Sequence, residues 1–220
     1  MSNVEQTIAS MLASINKSRS QEHIDEQLNE ERQALLKEGK RLFTAAEVPL
    51  RHSERSELDG EEWLTKFDSL KRLLNRGMLV VVSGPRGSGK TQLAVELIRT
   101  CCISQKPQSA LYATAMDFYL DLKSTFSPNA RETERDVCRR FCAPRLLVID
   151  EAHERAESEW FGRLLYHVVD KRYAARKDTL FVTNQTKTEF ADALGASSKS
   201  RILETGGFLT LEQRNYRNAK

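Results

Sequence analysis

Gly84-Pro85-Arg86-Gly87-Ser88-Gly89-Lys90-Thr91 has the spacing G-x-x-x-x-G-K-[ST], the spacing of a loop that cradles phosphates. Backbone N–H groups can surround a polyphosphate only where no Cβ intrudes, and Gly84, Gly87 and Gly89 clear that space. Lys90 would bring a cation to the β- and γ-phosphates of a nucleoside triphosphate, and the Thr91 hydroxyl would ligate Mg²⁺. The elements that must hold this loop are legible on both sides. Met78 to Ser83 is an apolar, β-branched run that reads as a buried parallel strand. Thr91 to Arg99 reads as a helix with Leu93, Leu97 and Ile98 on one face. Strand, loop and helix follow in the order phosphate binding requires; the bland alternative is a glycine turn that binds nothing.

A second acidic motif lies downstream. Leu146-Leu147-Val148-Ile149-Asp150-Glu151 is an apolar strand ending in two acids. Beside a phosphate loop, Asp150 would hold the Mg²⁺ shell through water and Glu151 would orient and polarise an attacking water. Asn184 directly follows the apolar run Thr179 to Thr183, so it would face the γ-phosphate at the C-terminal edge of the sheet, where α/β proteins bind ligands. Arg201, in Ser200-Arg201-Ile202, falls in a helical segment away from the loop. In an oligomer it could reach a neighbour's γ-phosphate as an arginine finger; otherwise it is a surface arginine. The string Asp150-Glu151-Ala152-His153 suggests a helicase, but 220 residues leave no room for a second motor domain. His153 is read as a loop or helix-start residue.

Beyond these motifs the pattern alternates. Ala110 to Thr114 reads as a second strand, Met116 to Phe126 as a helix, Ser127 to Ala130 as a turn and Arg131 to Phe141 as a helix. Arg145 to Ile149 reads as a third strand, Glu159 to Arg176 as an amphipathic helix with Leu164, Leu165 and Val168 inward, and Thr179 to Thr183 as a fourth strand. Such alternation specifies an α/β fold, a parallel sheet covered by helices on both faces. Ahead of it, Val4, Ile8, Met11, Leu12 and Ile15 form a helical stripe. Ile24, Leu28, Leu35 and Leu36 follow at near-heptad steps in a highly charged segment. This N-terminal arm either packs on its own domain or binds a partner. The expected division is an arm over 1–45, a linker over 46–61 and an ATPase domain over 62–220.

Composition narrows the classes. The chain is 40% hydrophobic and 30% charged, with a net charge of only +3, so nucleic-acid binding would come from local patches. There is no signal-peptide core and no apolar run of membrane-spanning length; a cytoplasmic protein without membrane attachment is expected. Cys101, Cys102, Cys138 and Cys142 are expected to stay reduced and partly buried, since their spacing suits zinc poorly. Arg131, Arg135 and Arg139 at i, i+4 and i+8 would line one helix face, either solvated or attracting phosphates.

Taken in order, the phosphate loop, Ile149-Asp150-Glu151, Thr183-Asn184 and Ser200-Arg201-Ile202 resemble the AAA+ ATPases. Leu146 to Arg217 resembles the DnaC-type helicase loaders and the related IstB-type transposition ATPases, with Gly206 to Leu211 similar to that group's closing strand and Asn215-Tyr216-Arg217 to its end. The resemblance covers roughly residues 46 to 217. It implies an AAA+ P-loop NTPase core without a C-terminal lid, a slow ATPase using ATP and Mg²⁺, and self-association into a helical oligomer. It further implies docking of a replicative DNA helicase through the arm, and binding of single-stranded DNA, with hydrolysis driving release. Phe126, Ser158 and Trp160 match DNA-contacting positions of such loaders, where aromatic rings stack on any base; ordinary packing is the other reading of Phe126 and Trp160. Ser197 stands where the family often carries another arginine, which leaves Arg201 as the single finger. The alternatives are a transposition ATPase of the IstB or MuB kind, acting on duplex DNA with a transposase, and an adaptor that uses ATP without hydrolysing it.

Overall fold

The structure is a computed structural model that describes residues 25–54, 60–152, 159–194 and 196–212. The expected stripe from Val4 to Ile15, Ile24, His153, Ser158 and Asn215-Tyr216-Arg217 lie outside the described residues.

Five strands form one parallel sheet: β1 (Leu79–Ser83), β2 (Ala110–Thr114), β3 (Leu146–Asp150), β4 (Asp178–Thr183) and β5 (Gly207–Thr210), in the order β2-β3-β4-β1-β5. Each lies within a residue or two of the stretch expected from sequence. β1, β3 and β4 are buried along their whole length, as strands covered on both faces must be. Their alternation divides the core. Val80, Val82, Val148 and Val182 face one layer with Trp63, Leu70, Leu93 and Leu97. Leu79, Val81, Ile149 and Phe181 face the other with Phe118, Phe141, Phe161 and Leu165. That is the period of two of a pleated strand.

The helices are α1 (25–44), α2 (Leu50–Ser53), α3 (Glu61–Leu73), α4 (Lys90–Cys102), α5 (Ala115–Ser124), α6 (Glu134–Cys142), α7 (Glu159–Ala174), α8 (Lys187–Leu194) and α9 (Ala196–Thr205). Local chemistry sets several of their starts. Thr114 and Asp117 form a capping box at α5, and Thr133 and Asp136 form one at α6, each satisfying backbone donors that a helix start would leave open. The second box starts α6 at Glu134 rather than at Arg131. The expected three-arginine stripe is therefore two residues on the helix, Arg135 and Arg139, with Arg131 in the preceding loop.

At the N-terminal edge of the sheet, Asp178 is fully buried and accepts from the backbone N–H groups of Asn75, Gly77 and Met78 at 2.7, 2.8 and 2.9 Å. Beside it Arg172, also fully buried, donates to the carbonyls of Phe141, Pro144, Arg145 and Asp178 and to the Thr179 hydroxyl. Burial lowers the Arg172 pKa to about 10. Four elements are tied together there by polar groups that all have partners, which is the condition for burying charge without heavy cost.

The stretch from Ala46, expected as a linker, is fastened to the core as far as it is described. Ala46 is buried and its carbonyl accepts from Tyr112 N at 2.8 Å. His52 Nδ1 lies 3.0 Å from Gln92 Oε1, and Arg99 donates to the Ser53 carbonyl at 2.6 Å. The end of α1 joins the same contact. A Cβ on Gly39 would meet the Cys102 carbonyl at 2.8 Å, and the Arg99 guanidinium lies 4.4 Å from the Phe43 ring centroid. Residues 25–37 of α1, by contrast, are exposed.

Candidate nucleotide site

Because all five strands are parallel, Ser83, Thr114, Asp150, Thr183 and Thr210 end at one edge of the sheet, the edge where open α/β folds bind ligands. The phosphate loop rises from β1 there. Gly87 and Gly89 have φ of 86° each, in the left-handed region that a side chain would strain. A Cβ on Gly84 would come within 2.3 Å of the Leu211 carbonyl, so this position must stay bare for the residue after β5 to close on the loop. Ser88 Oγ is buried and has no hydrogen-bond partner among the described residues. A buried hydroxyl without a partner at the centre of a glycine loop fits an anion that would supply one. Lys90 is buried, and its Nζ donates to the Gly84 and Pro85 carbonyls at 2.8 Å each, so the cation already lies over the loop. Pro85 and Arg86 are exposed at its tip.

The two motifs meet at Asp150, which is 3% exposed. Thr91 Oγ1 donates to Asp150 Oδ2 at 2.8 Å, and Glu151 N donates to Oδ1 at 2.7 Å. A hydroxyl and a carboxylate in contact at the start of a phosphate-loop helix are the oxygen donors a Mg²⁺ ion would use. Glu151 is exposed and has φ of 51°. A non-glycine residue held at positive φ is strained, and such strain clusters at functional positions. Asn184 is exposed just beyond β4, the strand between β3 and β1, and so stands between the acidic pair and the loop. Next to it Gln185 Oε1 is buried without a partner among the described residues. Sequence reading missed Gln185, and no local pattern marks it. It also missed Tyr112, whose hydroxyl donates to Asp150 Oδ2 at 2.8 Å; burial, followed by the Asp150 charge, raises the phenol's pKa above its ordinary value.

Arg201 is engaged within its own chain. It pairs with Asp170 at 2.6 Å and lies over the rings of Tyr166 and Tyr173, with centroid distances of 5.6 and 5.0 Å. Ser197, the family's second arginine position, contacts the Tyr166 hydroxyl at 3.3 Å. The structure also brings Phe126 and Trp160 together. Their ring centroids are 5.0 Å apart, Phe126 is 58% exposed, and Trp160 Nε1 donates to Glu134 at 3.0 Å. Phe126 is thus not a core residue. Glu134 in turn lines a groove of about 450 Å³ between α6 and α7, together with Arg135, Arg139, Leu164, His167 and Lys171.

A strand, a glycine loop and a helix facing an acidic strand end define a P-loop nucleotide-binding protein, and the parallel five-stranded sheet between helical layers is that of the AAA+ core. A family model for IstB-like ATP binding proteins matches residues 9–204, and the chain belongs to that family. Among curated relatives, the replicative helicase loader DnaC of Escherichia coli K12 is 29% identical over 122 residues, 56% of this chain and 49% of that protein. DnaC of Buchnera aphidicola subsp. Schizaphis graminum is 28% identical over 138 residues, 62% of this chain and 55% of that protein. The chain thus matches about half the length of these relatives. Solved structures share the fold. The DnaC helicase loader has a TM-score of 0.59 at 19% identity, covering 74% of this chain and 99% of that one. AMPPCP-bound DnaA from Aquifex aeolicus has a TM-score of 0.61 at 18% identity, covering 78% and 53%. Among the described residues no helix is long and apolar enough to cross a membrane.

Proposed function

We propose that this protein is a helicase-loader-like ATPase that binds ATP and Mg²⁺, engages single-stranded DNA and delivers a replicative helicase. The observation that carries the reading is the Thr91–Asp150 contact, which joins the phosphate loop to the acidic strand end in a chain of the IstB-like ATP-binding family. Gly84 to Thr91 hold the phosphates, with Lys90 leaving the loop carbonyls for the β- and γ-phosphates. Thr91 and Asp150 hold the metal. When bound, ATP and Mg²⁺ supply the phosphoanhydride and the charge that neutralises it. Glu151 orients the attacking water, Asn184 senses the γ-phosphate, and Arg201 acts on a neighbouring subunit after leaving Asp170. Turnover is slow in the isolated chain, because Arg201 is held in cis.

Three further features support the partner assignments. The exposed Phe126–Trp160 pair offers stacking to bases of any sequence, and the cationic groove beside it suits a phosphate backbone. Leu28, Leu35 and Leu36 are exposed on α1, as a helix awaiting a partner groove would display them. We assign the arm to residues 1–45, the junction to 46–61 and the ATPase domain to 62–220, in a protein of the cytoplasm that assembles into a helical oligomer on DNA.

The test is capture of replicative helicases by the full chain, with and without ATP, beside the variant Leu28→Glu/Leu35→Glu/Leu36→Glu. Capture lost in the variant, with nucleotide binding intact, supports a loader that docks through α1. The family model favours a second reading, a transposition ATPase. No helicase capture, tighter binding to duplex than to single-stranded DNA, and capture of a transposase would establish that reading instead. Tight ATP binding without hydrolysis, DNA present, would make the protein an ATP-switched adaptor.

A further inference from the structure

The Asp150 carboxylate is oriented by three donors, and only two of them belong to the nucleotide-binding motifs. Thr91 comes from the phosphate loop and Glu151 N from the acidic strand end. The third is the Tyr112 hydroxyl, which shares Oδ2 with Thr91 at the same 2.8 Å. Tyr112 lies on the neighbouring strand. In the register β2 pairs Tyr112 with Val148 and Thr114 with Asp150, so the phenol reaches Asp150 diagonally. A long aromatic side chain spans such a diagonal and a short one does not. The ring has little freedom. Tyr112 is 7% exposed, and its own N–H is pinned to the Ala46 carbonyl at 2.8 Å on the open side of the strand.

We propose that Tyr112 is a positioning residue for the metal carboxylate: its hydroxyl sets the orientation of Asp150 and so tunes how strongly Mg²⁺ contributes to ATP binding. The inference rests on the nucleotide reading of the site and adds to it a residue outside both motifs. The physical basis is direct. Each hydrogen bond to a carboxylate oxygen uses one lone pair and fixes the direction of the rest, so the donor set decides which lone pair faces a cation. Replacing Tyr112 with Phe keeps the ring and its packing and removes the donor alone. Asp150 is then held by Thr91 and Glu151 N only, and the Thr91 hydroxyl is itself the other metal-binding oxygen.

The effect is confined to the metal-dependent part of affinity, and that separates positioning from packing. Mant-ATP is titrated against the full-length wild type and Tyr112→Phe, once in saturating Mg²⁺ and once in EDTA. The expected result is an affinity about tenfold weaker in Mg²⁺ for the variant, the scale of one hydrogen bond to a charged group, with the EDTA affinities within about twofold. Equal loss in both arms would mean that Tyr112 only packs, and no loss in either would mean that its hydroxyl is idle; each overturns the inference while leaving the nucleotide site in place. A wild type that binds no mant-ATP in either arm overturns the nucleotide reading and this inference with it.

Discussion

The two edges of the sheet are built from similar residues to opposite ends. At the N-terminal edge, Asp178 and Arg172 are fully buried and have hydrogen-bond partners throughout, mostly backbone groups of the turns they hold. At the C-terminal edge, Ser88 Oγ and Gln185 Oε1 are buried with no partner among the described residues. An edge whose polar groups are all satisfied contributes stability and has nothing left for a ligand. An edge with open valences gives up stability, and a ligand restores it. The contrast separates residues that hold the fold from residues that await a nucleotide, without reference to any relative.

Mutagenesis at the satisfied edge should give the largest effect. Asp178→Ala leaves three backbone donors without their acceptor and removes the ion pair with Arg145, and should cost about 3–5 kcal/mol of unfolding free energy. The folded fraction should still bind ATP normally. Urea unfolding followed by nucleotide titration checks both, and a binding defect without a stability defect would break the comparison. Ser88→Ala is the mirror experiment. It removes a hydroxyl that has no partner, so stability should change by less than about 1 kcal/mol, while ATP affinity should fall roughly tenfold if that hydroxyl meets a phosphate.

Thiol labelling sharpens the picture more gently. Burial pushes Cys101 up to about 12 and Cys102 up to about 11 at the far end of α4, and Cys138 up to about 11 on α6. The reactive species is the thiolate. At pH 7.5 these three should label slowly in the native protein and promptly in denaturant, with the half-buried Cys142 labelled first. The smallest effect concerns pH. Glu189 accepts from Thr186 N and its hydroxyl, each at 2.8 Å, and these bonds, the backbone one first, hold its pKa below the ordinary 4.5. A depressed carboxylate contributes stability above its unfolded pKa and loses it as pH falls through the folded one. The protection of the Thr186 amide, just past Asn184, relative to its intrinsic exchange rate should therefore fall below about pH 4 and stay constant between pH 6 and 8.

Much of the ligand edge was legible in sequence because its parts are local strings. Gly84 to Thr91 and Ile149 to Glu151 each carry their meaning in consecutive residues, and the apolar strands announce themselves by length and β-branching. What could not be read is relational. The Tyr112 hydroxyl meets a carboxylate 38 residues away, and Asp178 caps a turn 100 residues upstream; neither leaves a periodicity. The Arg131–Arg135–Arg139 stripe failed for a local reason, since the Thr133–Asp136 box outranks charge spacing in setting where α6 begins. Arg201 was read correctly as helical, but its clasp on Asp170 and two tyrosines depends on how α9 packs on α7.

The order β2-β3-β4-β1-β5 also dictates when the phosphate loop can exist. β1 carries the loop, yet it pairs only with β4 and β5. Ser83 reaches its hydroxyl partner Thr210 across 127 residues. On a ribosome adding about 5–20 residues per second, the loop strand is made early and then waits several seconds for both neighbours. Gly84 closes against Leu211 last of all. The nucleotide site is therefore complete only once β5 has joined β1, 127 residues after the strand that carries the loop.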